Sequence, residues 1–184
     1  MVFKGEFIML RDDMIQRLLA LDEEVSLLYP NVERINMVIV GGGALVLMEY
    51  LSRSTHDIDV LSVSHRIQDL MLKYDMNTQV QTYINNFPYN YEDRIKPVPI
   101  HGRIIDFYTA SLEDIVIAKL YSYRDSDLAD ISAPEVVKRI DWELLRHLAT
   151  AEDEAKASAL NEFRYREFLD KYYDYEKRCR PCDN

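Results

Sequence analysis

Apolar and polar positions in the first part of the chain change from a helical to a strand-like pattern. Residues 12–29 carry apolar side chains at steps of three and four, namely Met14, Leu18, Leu21, Val25 and Leu28. This spacing predicts one apolar stripe of an amphipathic helix. Two largely apolar runs follow at residues 35–40 and 56–63, and each predicts a strand. The stretch between them, residues 44–51, predicts a helix that packs on the first strand.

The middle of the chain predicts short helices. Ser64 is placed to cap a helix at residues 64–76, and apolar spacing predicts another short helix around residues 80–87. A loop is predicted at residues 86–93, where proline and asparagine interrupt the pattern.

A further pair of strands precedes a helical tail. Residues 94–100 and 103–109 predict two strands joined by a turn, and two prolines restrict the first of them to a sheet edge. Ser111 opens a helix that runs to about residue 123, and the pattern stays helical almost to the end. This order of elements predicts an α+β fold.

Composition and charge narrow the function classes. The 184 residues carry 22 Lys and Arg against 32 Asp and Glu, a formal net charge of −10. This balance argues against a protein that coats nucleic acid without specificity. It leaves room for a local basic groove built from the tail residues Arg164, Arg166, Lys171, Lys177, Arg178 and Arg180. No apolar run approaches a membrane span and the N-terminus lacks a signal-peptide core, so we expect a cytoplasmic protein with no membrane partner.

The two cysteines carry little chemistry of their own. Cys179 and Cys182 form a single CxxC pair close to the C-terminus. A zinc site of this kind needs a second pair, and a redox pair needs a βαβ context. The sequence therefore predicts a frayed C-terminal tail without a metal or redox site at this point.

The candidate chemistry lies where the first strand ends. Three glycines at residues 41–43 follow that strand, and Asp57 and Asp59 lie two residues apart in the second strand. Because side chains alternate across a strand, both carboxylates share one face. A divalent cation and a triphosphate need this combination of carboxylates and bare backbone amides. The alternative is an exposed strand face on which the pair forms salt bridges, for example to Arg53.

A third acid is available on the last predicted strand. Asp106 is flanked by the apolar residues Ile105 and Phe107, so its charge would need a partner. A carboxylate on a neighbouring strand can complete the bridge between two metal ions that phosphoryl transfer commonly uses. Glu92 and Asp93 are alternative sources of this third carboxylate.

Two other glycine motifs match the sequence incompletely. A dinucleotide-binding fingerprint would need a third glycine where Val46 stands, and it needs one acid rather than two. A Walker loop is excluded because no Gly-Lys-Ser/Thr sequence occurs. A dinucleotide-binding oxidoreductase is therefore the weaker alternative.

Two sequence blocks carry a family resemblance. The first is the run Gly41, Gly42, Gly43, Ala44 and Leu45, followed by Arg-Ser-Thr-His-Asp-Ile-Asp-Val at residues 53–60. It resembles the signature of the nucleotidyltransferase (polymerase-β-like) superfamily, and more narrowly the minimal DUF6036 and AbiE-type toxin branches. The second block, residues 117–131, resembles the Lys-Leu helix and the Asp-Leu-x-Asp segment of the toxin branch.

The resemblance implies a fold and an activity. It implies a nucleotidyltransferase-like mixed β-sheet flanked by helices at residues 1–132, with a helical C-terminal extension at 133–184. It implies an enzyme that uses two Mg²⁺ ions to move an NMP unit from an NTP to an acceptor hydroxyl. The toxin branch implies an RNA acceptor, such as the 3′ end of a tRNA, and a neighbouring antitoxin as partner. A small-molecule or protein acceptor stays open, as does a catalytically silent nucleotide- or partner-binding module.

The resemblance also assigns roles to residues. Asp57, Asp59 and Asp106 match the metal-binding carboxylates, and the three glycines match the loop that holds the triphosphate through backbone amides. Lys119 is expected to contact phosphates. Supporting roles fall to Arg53, Thr55, Arg124, Asp127 and Asp130.

Two points in these blocks have other interpretations. Lys119 also fits an ordinary solvated helix lysine, with Asp127 and Asp130 capping the next helix. Many members of the superfamily carry serine or threonine where Gly43 stands, so a hydroxyl contact to phosphate is absent from this chain.

Overall fold

The computed structural model describes residues 8–62 and 67–181. The chain divides into two compact units, Met1–Gln81 with Lys96–Thr109, and Thr82–Ile95 with Ala110–Asn184. The helix that follows residue 110 belongs to the second unit and packs with the later helices, and the predicted boundary between residues 132 and 133 stays a prediction.

The first unit is built on a five-stranded mixed sheet. Its elements in chain order are α1 (Arg11–Leu28), β1 (Ile35–Val40), α2 (Gly41–Leu47), β2 (Ile58–Ser62), α3 (Gln68–Lys73), β3 (Met76–Asn77), β4 (Lys96–Pro97) and β5 (Ile105–Thr109). The strand order is β3-β2-β1-β5-β4. Strand β1 pairs antiparallel with β2 and parallel with β5, whereas β3 is parallel to β2 and β4 is antiparallel to β5. The mixed sheet flanked by helices confirms the predicted α+β fold class.

Hydrophobic burial explains the central position of β1. Its residues from Met37 to Val40 are all buried, so apolar side chains cover both of its faces. In β5 the buried Ile105 and Phe107 alternate with half-buried residues, as the sequence predicts for a strand with one covered face. Helix α1 contributes the predicted stripe, in which four residues are fully buried and Leu28 is exposed: Met14, Leu18, Leu21 and Val25.

The second unit is helical. It contains α4 (Leu112–Ser122), α5 (Asp125–Ser132), α6 (Pro134–Val137), α7 (Trp142–Thr150), α8 (Ala155–Ser158) and α9 (Glu162–Cys179). Helix α4 begins as predicted, with the Ser111 side chain accepting a hydrogen bond from the backbone N–H of Asp114. Aromatic side chains fill the core of the second unit. The Tyr121 and Phe168 rings stack there with centroids 4.3 Å apart, and Tyr172 and Tyr175 are fully buried.

Several predicted elements are shorter or differently placed. The strand predicted at residues 94–100 is reduced to the two residues of β4, which lie at the sheet edge. Short 3₁₀ helices occupy Gln79–Asn86 and Tyr91–Arg94, so part of the predicted loop at 86–93 is helical. Helix α2 begins three residues before the predicted position. The predicted cap Ser64 and the cysteine Cys182 lie outside the described residues.

A half-buried arginine, Arg94, connects the two chain segments of the second unit. The Arg94 guanidinium donates two hydrogen bonds to the Asp114 carboxylate, at 2.9 and 3.2 Å, and two to the Glu154 carboxylate, both at 3.0 Å. The Asp114 side chain is fully buried and that of Glu154 is 7% exposed. Burial raises the pKa of Asp114, although the bonds from Arg94 and Ser111 oppose that rise.

Over residues 8–62 and 67–181, no helix is both long and apolar enough to cross a membrane. The predicted cytoplasmic location stays a prediction.

Candidate functional site

The glycine run and the acidic strand meet at one end of the sheet. Val40, the last residue of β1, pairs with Asp59 of the antiparallel β2. The chain then turns into α2 at Gly41, which has a φ of +67°. A Cβ atom at Gly41 would lie 2.6 Å from Asp59 Oδ2, closer than real Cβ contacts allow. The Asp59 carboxylate therefore lies directly against the Gly41 backbone, in the space that a side chain at position 41 would occupy.

The two carboxylates of the acidic pair are exposed to different degrees. Ile58 lies between them and is fully buried, whereas Asp57 is exposed and Asp59 is half-buried. The buried Ile58 between two more exposed carboxylates follows the alternation that the sequence predicts, although Asp57 itself lies one residue before β2 begins.

The segment before β2 is anchored by Thr55. Thr55 is buried and exchanges two backbone hydrogen bonds with Met9, at 2.8 and 2.9 Å. Its hydroxyl donates to the backbone carbonyl of Asp57 at 3.1 Å. These contacts fix the backbone that carries Asp57, and the supporting role of Thr55 in catalysis stays a prediction. Arg53 is exposed, and its guanidinium donates to the carbonyl of Ser54 at 2.7 Å.

Asn77 is a site residue that the sequence interpretation missed. It lies on β3 directly opposite Asp59, and its side-chain Nδ2 donates to Asp59 Oδ1 at 3.0 Å. The backbone N–H of Gln79 donates in turn to Asn77 Oδ1 at 3.0 Å. A two-residue strand has no periodicity of its own, so the sequence offers no signal that places Asn77 beside Asp59.

Asp106 lies at the other end of the sheet. It pairs with Asn36, four residues before Val40 on β1, whereas Asp59 pairs with Val40 itself. At the rise of a strand, four residues correspond to about 13 Å along the sheet. Asp106 accepts a hydrogen bond from Arg34 Nε at 2.7 Å, and this bond holds the pKa of the Asp106 carboxyl below its ordinary value.

The predicted triad of Asp57, Asp59 and Asp106 is therefore corrected, because the structure does not bring Asp106 to the acidic pair. Among the residues that the structure describes, no three His, Cys, Asp or Glu side chains form a group that could hold a metal ion. The alternative acids Glu92 and Asp93 lie in the 3₁₀ helix Tyr91–Arg94, where Glu92 accepts a hydrogen bond from the Tyr91 hydroxyl.

Lys119 is the centre of a buried ionic cluster in the second unit. Its ammonium donates to Asp127 Oδ1 at 2.6 Å and to Asp130 Oδ2 at 3.0 Å. All three side chains are less than a tenth exposed. The interpretation of Lys119 as a solvated lysine is therefore wrong. Capping by the two acids is wrong as well, because the N-cap of α5 is Arg124 and no side-chain cap bond is formed there.

Asp127 receives further donors besides Lys119. The Ser122 hydroxyl donates to its carboxylate, and Arg124 Nε donates to Asp127 Oδ2 at 2.8 Å. Burial by itself would raise the pKa of Asp127, but the hydrogen bonds from Lys119, Ser122 and Arg124 outweigh it and lower that pKa. Five polar residues of the block at residues 117–131 thus form one connected cluster: Lys119, Ser122, Arg124, Asp127 and Asp130.

Comparison with known protein families identifies the family of the chain. A family model described as "Nucleotidyltransferase of unknown function (DUF6036)" matches residues 16–180. The chain belongs to the DUF6036 family. No curated protein and no solved structure matches the chain significantly. The match confirms the nucleotidyltransferase resemblance, whereas the narrower AbiE-type resemblance stays a prediction.

The DUF6036 sheet also argues against a dinucleotide-binding protein. The Rossmann motif continues from its glycine-rich strand through a helix into a parallel neighbour. In this protein the helix after the glycines leads to β2, which is antiparallel to β1. The oxidoreductase alternative therefore lacks the topology that it needs.

Ion pairs balance most of the basic residues in the tail of this DUF6036 protein. Arg164, Arg166 and Arg178 each pair with an acid three or four residues away on α9. Arg180 pairs with Glu143 and Glu176. These pairs neutralise the charge that a basic groove in the tail would need.

Proposed function

We propose that this DUF6036 protein is a Mg²⁺-dependent nucleotidyltransferase that moves an NMP unit from an NTP to an acceptor hydroxyl. The observation that carries the proposal is the approach of Asp59 Oδ2 to Gly41, where a Cβ would lie 2.6 Å away. A carboxylate pressed against a bare glycine backbone gives one place for a cation and for the phosphates that it accompanies. Membership of a nucleotidyltransferase family supports the reaction class.

The residues of the site take distinct roles in this proposal. Asp57 and Asp59 would hold Mg²⁺ through their carboxylate oxygens, which are the ligands that this hard cation prefers. When bound, Mg²⁺ supplies neutralisation of the phosphate charge. Gly42 and Gly43 would offer their backbone amides to the triphosphate. In the reaction the acceptor oxygen bonds to the α-phosphorus, pyrophosphate leaves with the bridging oxygen, and the hydroxyl proton passes to water.

Lys119 contacts acidic side chains, whereas the family resemblance predicts a contact with phosphate. Its ammonium is balanced by Asp127 and Asp130 inside the second unit. We propose that the Lys119 cluster holds α4 and α5 together, because its three charged side chains join those two helices. Its predicted contact with phosphate stays a prediction.

For the acceptor we propose an RNA hydroxyl, with an antitoxin as the protein partner. This part of the proposal rests on the resemblance to AbiE-type toxins. The net charge of −10 favours a small contact, such as one RNA end, over an extended RNA surface.

The experiment is a transfer assay with each of the four NTPs labelled at the α-phosphate. The protein, Mg²⁺ and a cell lysate are incubated, and label is counted in the RNA, protein and small-molecule fractions. We expect label in RNA with the wild type, and at least a hundred-fold less with Asp57→Asn or Asp59→Asn. Asp106→Asn is the matched control, because it removes a carboxylate from the distant end of the sheet. Label in protein or small molecules would overturn the RNA acceptor, and equal transfer by all variants would overturn the site.

A catalytically silent nucleotide-binding module is the second candidate. The observation that favours it is the neutral amide of Asn77 opposite Asp59, in a site with no third acid among the described residues. This candidate predicts Mg²⁺-dependent NTP binding that Asp59→Asn removes, without label in any lysate fraction.

A further inference from the structure

The Asp59 carboxylate lies between neighbours on two different elements. On one side Asn77 Nδ2 donates to Oδ1 at 3.0 Å. On the other side Oδ2 faces Gly41, where a Cβ would lie 2.6 Å away. Rotation of the carboxylate about its own bond would break the first contact and change the second.

The orientation of the Asn77 amide follows from its second hydrogen bond. The backbone N–H of Gln79 can only donate, so the Asn77 atom that it contacts at 3.0 Å is the amide oxygen. The amide nitrogen must then face Asp59. Asn77 consequently acts towards Asp59 as a neutral donor.

We propose that Asn77 is a positioning residue, which fixes the Asp59 carboxylate so that Oδ2 is presented to a divalent cation beside Gly41. The inference rests on the proposed function, because it assumes that Asp59 is a metal ligand. Side chains that hold a ligand in place through its second atom change metal affinity about 10- to 100-fold when they are removed. The amide also means that the third side chain of the site adds no negative charge.

The test is Mn²⁺ binding, measured by the loss of the free-ion signal in electron paramagnetic resonance. Full-length wild type, Asn77→Ala, Asn77→Asp and Asp59→Asn are titrated with Mn²⁺, without nucleotide. Thermal unfolding of each variant is recorded with and without the ion. Asn36→Ala is the matched control, because Asn36 is an exposed asparagine on β1 at the end of the sheet near Asp106.

We expect Asn77→Ala to bind Mn²⁺ about 10-fold more weakly or worse, and Asn36→Ala to bind like the wild type. Asn77→Asp should bind more tightly than Asn77→Ala, because its carboxylate would lie beside Asp59 and the repulsion between them is relieved by a cation. Mn²⁺ should accordingly raise the melting temperature of Asn77→Asp by more than that of the wild type.

The contrary outcomes distinguish a failure of the proposed role of Asn77 from a failure of the proposed metal site. Wild-type affinity in Asn77→Ala, or weaker binding by Asn77→Asp than by Asn77→Ala, would overturn the role of Asn77 and leave the proposed function standing. If the wild type binds no Mn²⁺, or if Asp59→Asn binds as well as the wild type, the metal site of the proposed function fails together with this inference. Lower melting temperatures with unchanged affinity would show a purely structural role.

Discussion

Replacing Gly41 by alanine tests how closely backbone and carboxylate are fitted in the site. Two costs arise from one methyl group. Alanine in the left-handed region, at the φ of +67° seen for Gly41, costs about 1 to 2 kcal/mol. The added Cβ would also lie 2.6 Å from Asp59 Oδ2, so the carboxylate must move. That movement would force the Asp59 side chain away from its preferred rotamer or weaken the hydrogen bond that it accepts from Asn77.

The second cost can be isolated in a double-mutant cycle. In Asp59→Ala the carboxylate is gone, and the nearest remaining side-chain atom, Cβ, lies 3.6 Å from the added methyl group, an ordinary contact. Gly41→Ala should therefore cost only its backbone strain in that background. Because Asp59 is half-buried and water replaces part of a lost bond, we expect a coupling of about 1 to 2 kcal/mol between the two substitutions.

Urea unfolding of the four proteins in the cycle measures this coupling. Gly43→Ala is the control, because its Cβ would meet only the flexible end of Met14 at 3.0 Å and the Asp57 carbonyl at 3.5 Å. We expect its free energy of unfolding to stay within about 1 kcal/mol of the wild type. A cycle in which Gly41→Ala costs the same with and without the Asp59 carboxylate would refute the close approach.

Three further results are expected from the ionic contacts. Lys119→Met leaves the buried carboxylates of Asp127 and Asp130 without their shared cation, so the free energy of unfolding in urea should fall by about 3 to 5 kcal/mol; a loss under about 1 kcal/mol would contradict the cluster. The lowered pKa of Asp127 means that its ionised form favours the folded state at neutral pH, and this contribution disappears as the pH falls through that lowered pKa. Between about pH 6 and pH 2, the free energy of unfolding in urea should therefore fall less steeply with decreasing pH in Asp127→Asn than in the wild type. Equal pH dependence in the two proteins would contradict the stabilising role of the Asp127 carboxylate. Asp106→Asn should leave Mn²⁺ binding unchanged, and a loss of binding as large as that in Asp59→Asn would return Asp106 to the site.

Local pattern was sufficient for much of the fold. The span of β1 follows from an apolar run, interrupted only at Asn36 and bounded by polar residues and glycine, and α4 follows from its serine cap. The alternation of Ile105, Asp106 and Phe107 correctly predicts which of them face the core. Each of these signals lies within a dozen consecutive residues.

The errors in the site arose from contacts between distant parts of the chain. Asp106 has the right surroundings in the sequence, but its place along the sheet depends on the register between β1 and β5, which no local pattern encodes. Asn77 comes to Asp59 through pairing across 18 positions. Lys119 has the spacing of a surface lysine, and only the return of α5 onto α4 buries it.

The Arg94 contacts have a consequence for the synthesis of the protein. Arg94 leaves the ribosome before either acid that will neutralise it, and Glu154 lies 60 positions later. At ordinary rates of translation that interval lasts about 3 to 12 s. During it the segment Thr82–Ile95 cannot complete its compact unit, because its partners in Ala110–Asn184 are still being made. A chain interrupted before Glu154 would therefore lack one of the two carboxylates that neutralise Arg94 and would expose unburied helical surface to chaperones and proteases.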